Sequence, residues 1–326
     1  MSKPPENLPR YRELPAKEGN PPKTAWGLFG DDDNVGMFNL QTPERIAAAA
    51  RLVKKGAMFT MNWEQDLPNP PLFNRGHFRH TVSREIPVGH HGDDVLDNFY
   101  TQASSQWDGL THVGDFEHGF WGGVRVEELR STGDKSRLGI DHWARRGIAG
   151  RAVLLDVARH LEEQGRPLDH NKTIGITVAD LEATRSKQGV DIQTGDVVLI
   201  RTGWIEWYEK QNFAVRSSLA NLATFKSPGL SCSEEMAEYL FDLHPSALCS
   251  DNPALEAWPS PNFIDPDGFL HHWIIGRFGM AIGEMFRLGP LADDCAQDGV
   301  YETFFTSAPL NIKGGTGSPP NALALK

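Results

Sequence analysis

Three short apolar runs, widely spaced along the chain, constrain its fold most strongly. They cover residues 152–156, 196–203 and 247–251. Each run has the length and apolar content of a buried strand. Helix signals separate the runs, because Thr177 can cap a helix over residues 177–187. Ser231 or Ser233 can cap a second helix over residues 231–243. Buried strands that alternate with helices predict an α/β domain, with a mixed sheet and flanking helices.

Shorter elements are predicted in the rest of the chain. Thr42 and Pro43 are typical of a helix start, and a Gly such as Gly56 is typical of the position after a helix end. A short helix is predicted over residues 139–147. Strands are predicted over residues 58–63, 282–286 and 307–312. Residues 66–100 are rich in Pro, His and Asp, which predicts mostly loop.

The chain is predicted to form a single catalytic domain. It has 326 residues, and no internal repeat or linker divides residues 26–326. Residues 1–25 are rich in Pro, Lys and Glu and predict an extended N-terminal arm. No apolar run reaches the roughly 18 residues that span a bilayer. The N-terminus shows no apolar signal core, so we expect a cytoplasmic protein.

Composition excludes several classes of function. The net charge of −11 argues against general binding of nucleic acid or of an anionic membrane. The three cysteines are Cys232, Cys249 and Cys295, and none has the spacing of a paired metal-binding motif. We therefore expect reduced thiols and no disulfide framework. A small molecule remains the expected partner.

Residues 105–123 concentrate the side chains that carry chemistry. This stretch holds two histidines, three carboxylates and several glycines: His112, His118, Asp108, Asp115, Glu117, Gly109, Gly114, Gly119, Gly122 and Gly123. Imidazole and carboxylate groups bind zinc, manganese or iron, and histidine also carries protons near neutral pH. The glycines indicate a loop that can approach a ligand closely. The stretch therefore predicts a metal or acid–base site.

The same stretch resembles the metal-dependent cyclase family, which includes bacterial kynurenine formamidase and isatin hydrolase. The family motif is His-x-Gly-Thr-His-x-Asp-x-Pro-x-x-His, with variable spacing, and residues 108–118 read DGLTHVGDFEH. The resemblance implies that His112 is a metal ligand and that His118 is the catalytic proton carrier. Asp108 stands where the first ligating His would be. Gly114 stands where the family has a ligating Asp, which is a departure from the motif.

Further segments extend the resemblance over nearly the whole chain after residue 25. The family's second ligand pair is a His and a Glu twelve residues apart, which His272 and Glu284 match. His271, the neighbour of His272, is the alternative ligand. Other similar segments are residues 106–108, 195–204, 251–252 with Glu256, and 314–322. The implied fold is the swivelling β/β/α domain of this family.

The resemblance implies a hydrolase with zinc or manganese held by Asp108, His112, His272 and Glu284. A bound metal activates water and polarises a carbonyl group. His118 would then move the proton in the opening or cleavage of a small cyclic or aryl amide or ester, such as a lactam, lactone or formamide. A homodimer or homotetramer is the expected assembly.

Four aromatic residues flank the predicted site and suit a flat or apolar substrate. They are Trp107, Phe116, Phe120 and Trp121. Core packing is the alternative role for each of them.

Alternatives remain open from sequence alone. Asp108 can simply cap a turn, and His272 can be a core histidine. Glu284 can form a salt bridge with Arg277 or Arg287. At the level of the whole protein, a non-hydrolytic cyclase, dehydratase or isomerase could use the same scaffold. A catalytically silent binding protein could also retain it.

Overall fold

The computed structural model describes residues 5, 7–83, 92–129, 136–262, 265 and 267–326. Its strands are β1 (Met58–Thr60), β2 (Arg79–Ser83), β3 (Asp93–Asp97), β4 (Gln106–Asp108), β5 (Ile148–Leu155), β6 (Gly175–Ile176), β7 (Val197–Ile200), β8 (Gly229–Leu230), β9 (Ala247–Ser250), β10 (Ala281–Glu284), β11 (Glu302–Ser307), β12 (Gly317–Ser318) and β13 (Leu323–Leu325). Its helices are α1 (Pro43–Ala50), α2 (Val126–Leu129), α3 (Ile140–Arg146), α4 (Val157–Glu163), α5 (Val178–Gln188), α6 (Trp204–Glu209), α7 (Phe213–Leu219), α8 (Glu234–Asp242) and α9 (Gly289–Asp298). A π-helix covers His272–Arg277.

A large mixed sheet organises the molecule. Within the described residues it has nine strands, in the order β1, β13, β11, β5, β7, β9, β10, β4 and β12. The central strands β5, β7, β9 and β10 run parallel, and antiparallel strands flank them on both sides. Every residue of β7, β9 and β10 is buried, as expected for strands covered on both faces. The predicted α/β fold with a mixed sheet is confirmed.

Local signals explain the helices that cover the sheet. The Thr177 side chain accepts a hydrogen bond from the Asp180 amide and so caps α5, as predicted. Of the two candidate caps for α8, Ser233 makes the bond, from the Met236 amide. Thr42 caps α1 in the same way, and Pro43 occupies its first turn. In the described part of the chain, no helix combines the length and apolarity needed to cross a bilayer.

Two predicted elements differ from the structure. The last strand is predicted over residues 307–312, but β11 ends at Ser307, and the last strand of the structure is β13, at Leu323–Leu325. The predicted loop of residues 66–100 contains the hairpin of β2 and β3. All of β3 is exposed, so no buried face imposes an apolar alternation that the sequence could show. Residues 84–91 of that loop lie outside the described part.

The predicted N-terminal arm lies against α8 of its own chain. Tyr11 is buried, and its backbone amide donates a hydrogen bond of 2.7 Å to Asp242. Its hydroxyl donates one of 2.8 Å to Glu234. The Tyr11 ring lies 5.8 Å from that of Trp273 in the π-helix. Residues 1–4 and 6 of the arm lie outside the described part.

Candidate metal centre

Two antiparallel strands place the first carboxylates of the site. In the register of β4 and β10, Asp108 lies opposite Ile282, and Gln106 lies opposite Glu284. Alternate residues of a strand face the same side, so Gln106 and Asp108 share one face. The Gln106 amide donates a hydrogen bond of 2.7 Å to Glu284 and a longer one, of 3.3 Å, to Asp108. This amide therefore links the two buried acids.

Two histidines meet these acids. The side-chain ligand atoms of Asp108, His112 and His271 all lie within 4.8 Å of one another. Nε2 of His112 is 3.7 Å from Oδ1 of Asp108, and Nε2 of His271 is 4.0 Å from Oδ2. These distances are long for hydrogen bonds. Ligand atoms that share one zinc ion stand about 2.0–2.2 Å from it, and hence roughly 3–4 Å apart. The donor set and its spacing thus fit a divalent metal.

Glu284 joins the cluster from β10. Its Oε1 lies 3.3 Å from Nε2 of His271, and the side chain is almost fully buried. Burial, followed by the charge of Asp108, raises the pKa of Glu284 to about 8. Buried carboxylates at close quarters ionise readily only when a cation joins them. We refer to Asp108, His112, His271 and Glu284 as the candidate metal centre.

The alternative salt bridges of Glu284 are not formed within the described residues. Arg277 pairs with Asp267, at 2.9 Å, and Arg287 lies 3.8 Å from Glu209. Neither arginine neutralises the metal centre.

Outer contacts hold both histidines with Nε2 toward Asp108. Nδ1 of His271 lies 2.9 Å from a carboxylate oxygen of Glu256, which is fully buried. Nδ1 of His112 lies 3.1 Å from the amide nitrogen of Gln102, which also donates a hydrogen bond to Asp108. A carboxylate behind a metal-ligating histidine is a common way to fix its ring.

The two histidines also differ in charge. Burial lowers the pKa of His112 and so favours the neutral ring that a metal requires. Burial would also lower the pKa of His271, but Glu256 and Glu284 outweigh it and raise that pKa well above its usual value. A metal at this centre would therefore displace a proton from His271.

The structure does not bring His272 into the cluster. Nδ1 of His272 lies 3.0 Å from the backbone oxygen of Gly114, and its ring lies 5.2 Å from that of Phe116. The reason lies in the π-helix that begins at His272, in which the Phe278 amide bonds to the Trp273 oxygen. A π-turn accommodates one residue more than an α-turn. His271, thirteen residues before Glu284, consequently takes the position that the twelve-residue spacing suggested for His272.

Gly114, at the position of the family's ligating Asp, has no space for a side chain. A Cβ atom there would lie 2.9 Å from the Phe120 ring and 3.0 Å from the backbone oxygen of Gly119. Neighbouring residues of the loop occupy the space that a side chain would need, and the Gly114 backbone oxygen contacts His272. The ligands of the candidate metal centre therefore come from other positions.

His118 lies on the same loop and forms a pair with Asp115. Its Nδ1 is 2.7 Å from Oδ1 of Asp115, which also accepts a hydrogen bond from the His118 amide. Burial would raise the pKa of Asp115, but the bonds from His118 outweigh it and lower that pKa. The His118 side chain is about one-fifth exposed. A histidine oriented by a carboxylate and open to solvent can take up and release protons.

The four predicted pocket aromatics fall into two groups. Trp107 and Trp121 are buried in the core, at 0% and 1% exposure, and do not line the site. Trp107 occupies the face of β4 opposite to Asp108, where its Nε1 donates to Ser307. Phe116, on the same loop as His118, is 67% exposed. Phe120 is partly buried against the core.

Three side chains at or near the site are not predicted from the sequence: the amides of Gln102 and Gln106 and the guanidinium of Arg75. Arg75 lies in the segment predicted as loop, Gln102 follows that segment, and Gln106 belongs to the similar segment of residues 106–108. Nothing in their spacing from His112 indicates a shared site. Only the pairing of β4 with β10 and the path of the preceding loop bring them together.

Comparison with known proteins agrees with this architecture. The family model described as "Putative cyclase" matches residues 57–257. The crystal structure of a novel cyclase is 32% identical, with a TM-score of 0.81, over 93% of this chain and 99% of that chain. No curated protein sequence matches significantly.

Isatin hydrolases have a similar fold at lower identity. Isatin hydrolase A from Labrenzia aggregata, bound to benzyl benzoate, is 17% identical, with a TM-score of 0.58, over 85% of this chain and 94% of that one. The enzyme from Ralstonia solanacearum is 18% identical, with a TM-score of 0.55, over 87% and 98%. With the family model covering most of the sequence and the novel cyclase covering nearly all of it, the chain belongs to the cyclase family.

Proposed function

We propose that this chain is a metal-dependent hydrolase that opens or cleaves a small cyclic or aryl amide or ester, such as a lactam, lactone or formamide. The observation that carries the proposal is the convergence of Asp108, His112 and His271, with Glu284 3.3 Å from His271, in one largely buried cluster. The acid–base pair of His118 and Asp115 lies on the loop that follows His112. The isatin hydrolases that share the fold support the reaction class by analogy.

The four side chains of the candidate metal centre would hold the ion. Two carboxylates and two imidazoles suit zinc or manganese. The metal would supply a Lewis acid that activates water and polarises the substrate carbonyl. Glu256 would accept the Nδ1 proton of His271 and keep that ring in the orientation that ligation requires.

His118 would carry the proton. Asp115 holds its Nδ1, which leaves Nε2 as the atom that accepts a proton from water and returns it to the leaving nitrogen or oxygen. The adjacent Phe116 is exposed and offers an apolar surface to an aryl or cyclic substrate. Of the four aromatic residues predicted to bind substrate, Trp107 and Trp121 are buried, so the proposal assigns substrate contact to Phe116.

The proposal is tested by metal analysis and isotope incorporation on the purified protein. We expect about one equivalent of zinc or manganese and hydrolysis within a panel of lactams, lactones and aryl formamides. In labelled water, one labelled oxygen should enter the product. A product without label would contradict hydrolysis and favour a cyclase, dehydratase or isomerase. Absence of metal, even after incubation with both ions, would contradict the metal centre.

The variant His118→Ala tests the proton carrier. We expect kcat to fall about 10²- to 10⁴-fold with unchanged metal content, because a general acid–base contributes that much. His142→Ala is the matched control, since His142 lies on α3, where its Nε2 is 3.0 Å from the Ser136 backbone oxygen. Full activity of His118→Ala would assign proton transfer to another group.

A further inference from the structure

Arg75 lies beside the candidate metal centre, separated from it by one amide group. Its Nη1 donates a long hydrogen bond of 3.4 Å to Oε1 of Gln106. The nitrogen of the same amide lies 2.7 Å from Glu284 and 3.3 Å from Asp108. A group bound to the Arg75 guanidinium would therefore lie close to the side chain that links the two acids of the metal centre.

Most N–H donors of the Arg75 guanidinium are not bound to an acidic side chain of the described residues. In the part of the chain that the structure describes, no carboxylate lies within 4.0 Å of its nitrogens, and its other close contact is the Phe73 ring at 5.3 Å. By contrast, Arg151 and Arg201, which are also largely buried, each have a carboxylate oxygen within 2.8 Å. A guanidinium has five N–H donors and stays charged in proteins. Most donors of Arg75 are thus available to a ligand.

A cavity of about 410 Å³ adjoins this guanidinium. It is lined by Arg75 and by residues of the 98–102 segment, among them Phe99, Tyr100 and Gln102. One lining side chain, Gln102, also contacts Asp108 and His112 and so connects the cavity to the metal centre. The lining of the cavity thus combines the cationic Arg75 with the aromatic side chains of Phe99 and Tyr100.

Packing at the base of the hairpin brings residues 76–77 next to residues 98–100. The Asn98 amide donates a hydrogen bond of 3.0 Å to the His77 backbone oxygen. A Cβ atom at Gly76 would collide with the Asn98 amide and would lie 2.7 Å from the Tyr100 ring. The absence of a side chain at Gly76 thus lets the Asn98 and Tyr100 side chains pack against the backbone next to Arg75.

We infer that Arg75 binds a carboxylate of the substrate, so that the preferred substrates are amides or esters carrying an anionic group near the bond that is cleaved. Guanidinium pairs with carboxylate through two parallel hydrogen bonds, which also orient the ligand. Asp108 and Glu284 would repel such a substrate, and Arg75 offsets that repulsion. This inference names the substrate class of the proposed hydrolase and rests on that function.

The test compares two substrates that differ only in charge. An aryl amide with a ring carboxylate and its methyl-ester analogue are assayed with the wild type, Arg75→Gln and Arg79→Gln. We expect Arg75→Gln to lower kcat/KM about 10- to 100-fold for the anionic substrate, as for a lost charge-assisted hydrogen bond. The neutral analogue should change little. Arg79, exposed on β2, is the matched control.

A binding measurement gives a readout independent of turnover. Benzoate is titrated calorimetrically into metal-stripped protein, so that no ion contributes. Wild type and Arg79→Gln should bind benzoate, and Arg75→Gln should lose about the same 10- to 100-fold in affinity. If Arg75→Gln fails to fold, Arg75→Lys replaces it and should retain the charge but weaken binding through loss of the two-point contact.

The outcomes separate the two proposals. Equal effects of Arg75→Gln on the anionic and neutral substrates, or unchanged benzoate binding, would overturn the role of Arg75 while leaving the hydrolase intact. Benzoate binding that depends on Arg75, together with a failure of wild-type protein to hydrolyse either substrate, would support the anion site and contradict the hydrolase.

Discussion

Two clusters of acidic side chains differ in the groups that balance their negative charge. In the first, near the C-terminus, Asp294 and Asp298 of α9 each lie 2.8 Å from the amines of both Lys55 and Lys326. In the second, the candidate metal centre, Asp108 and Glu284 lie together with two histidines. The first cluster has a lysine for every carboxylate. The second has no lysine or arginine in direct contact within the described residues.

The pKa values follow this difference. Hydrogen bonds from Lys326 and Lys55 lower the pKa of Asp294. Burial would raise the pKa of Asp298, but the same lysines outweigh it and lower that pKa. In the metal centre, burial and the neighbouring acid raise the pKa of Glu284 to about 8. A cluster neutralised by lysines joins parts of the fold, whereas one whose acids are balanced by a protonated histidine can exchange that proton for a metal ion.

The largest effect expected from this comparison is loss of metal in His271→Ala. We expect metal content to fall from about one equivalent to below roughly 0.1, because a ligand is removed from a small N/O set. His272→Ala, at the neighbouring position, should keep its metal. Elemental analysis of the two variants checks this directly. Metal loss in His272→Ala, with retention in His271→Ala, would reverse the assignment.

Asp298→Asn extends the comparison to the first acidic cluster. Its carboxylate is paired with lysines, so this variant should keep its full metal content. Loss of metal in Asp298→Asn would show that the two clusters are not independent.

A smaller effect is expected when the support of His271 is removed. Glu256→Gln keeps the size of the side chain but replaces the carboxylate that lies 2.9 Å from Nδ1 of His271. Metal affinity should fall about 10- to 100-fold, as for other outer partners of metal-ligating histidines. Competition with a chromophoric chelator measures the change. Unchanged affinity would limit Glu256 to a packing role.

The sequence predicts the sheet well, and it also indicates that Asp108 and His112 lie close together. Apolar runs that match β5, β7 and β9 establish the α/β class, because fully buried strands are visible as continuous apolar segments. Asp108 and His112 are four residues apart in one motif, so their proximity follows from local chain geometry. The structure places both in the candidate metal centre.

The rest of the site depends on contacts that local patterns do not encode. The choice between His271 and His272 depends on a π-helix, and a one-residue insertion has no strong sequence signature. Trp107 faces the core because β4 pairs with β10 and β12, which fixes the side on which each residue lies. Arg75 reaches the centre from a loop that precedes the motif, through Gln106. Long-range packing determines all three.

The smallest predicted effect concerns pH, where the two clusters should have opposite signs. The pKa of Asp298 is lowered in the fold, so this carboxylate stabilises the protein above its unfolded pKa of about 3.9, and the stabilisation is lost as pH falls. The pKa of Glu284 is raised in the fold, so without metal the folded state holds its proton longer, and stability declines as pH rises from about 4 toward 8. Urea unfolding of metal-stripped protein between pH 3 and 8 measures both trends. Asp298→Asn should flatten the acid side of the profile, and Glu284→Gln should flatten the side toward pH 8. If both variants flattened the same side of the stability profile, the two carboxylates would not have pKa values shifted in opposite directions.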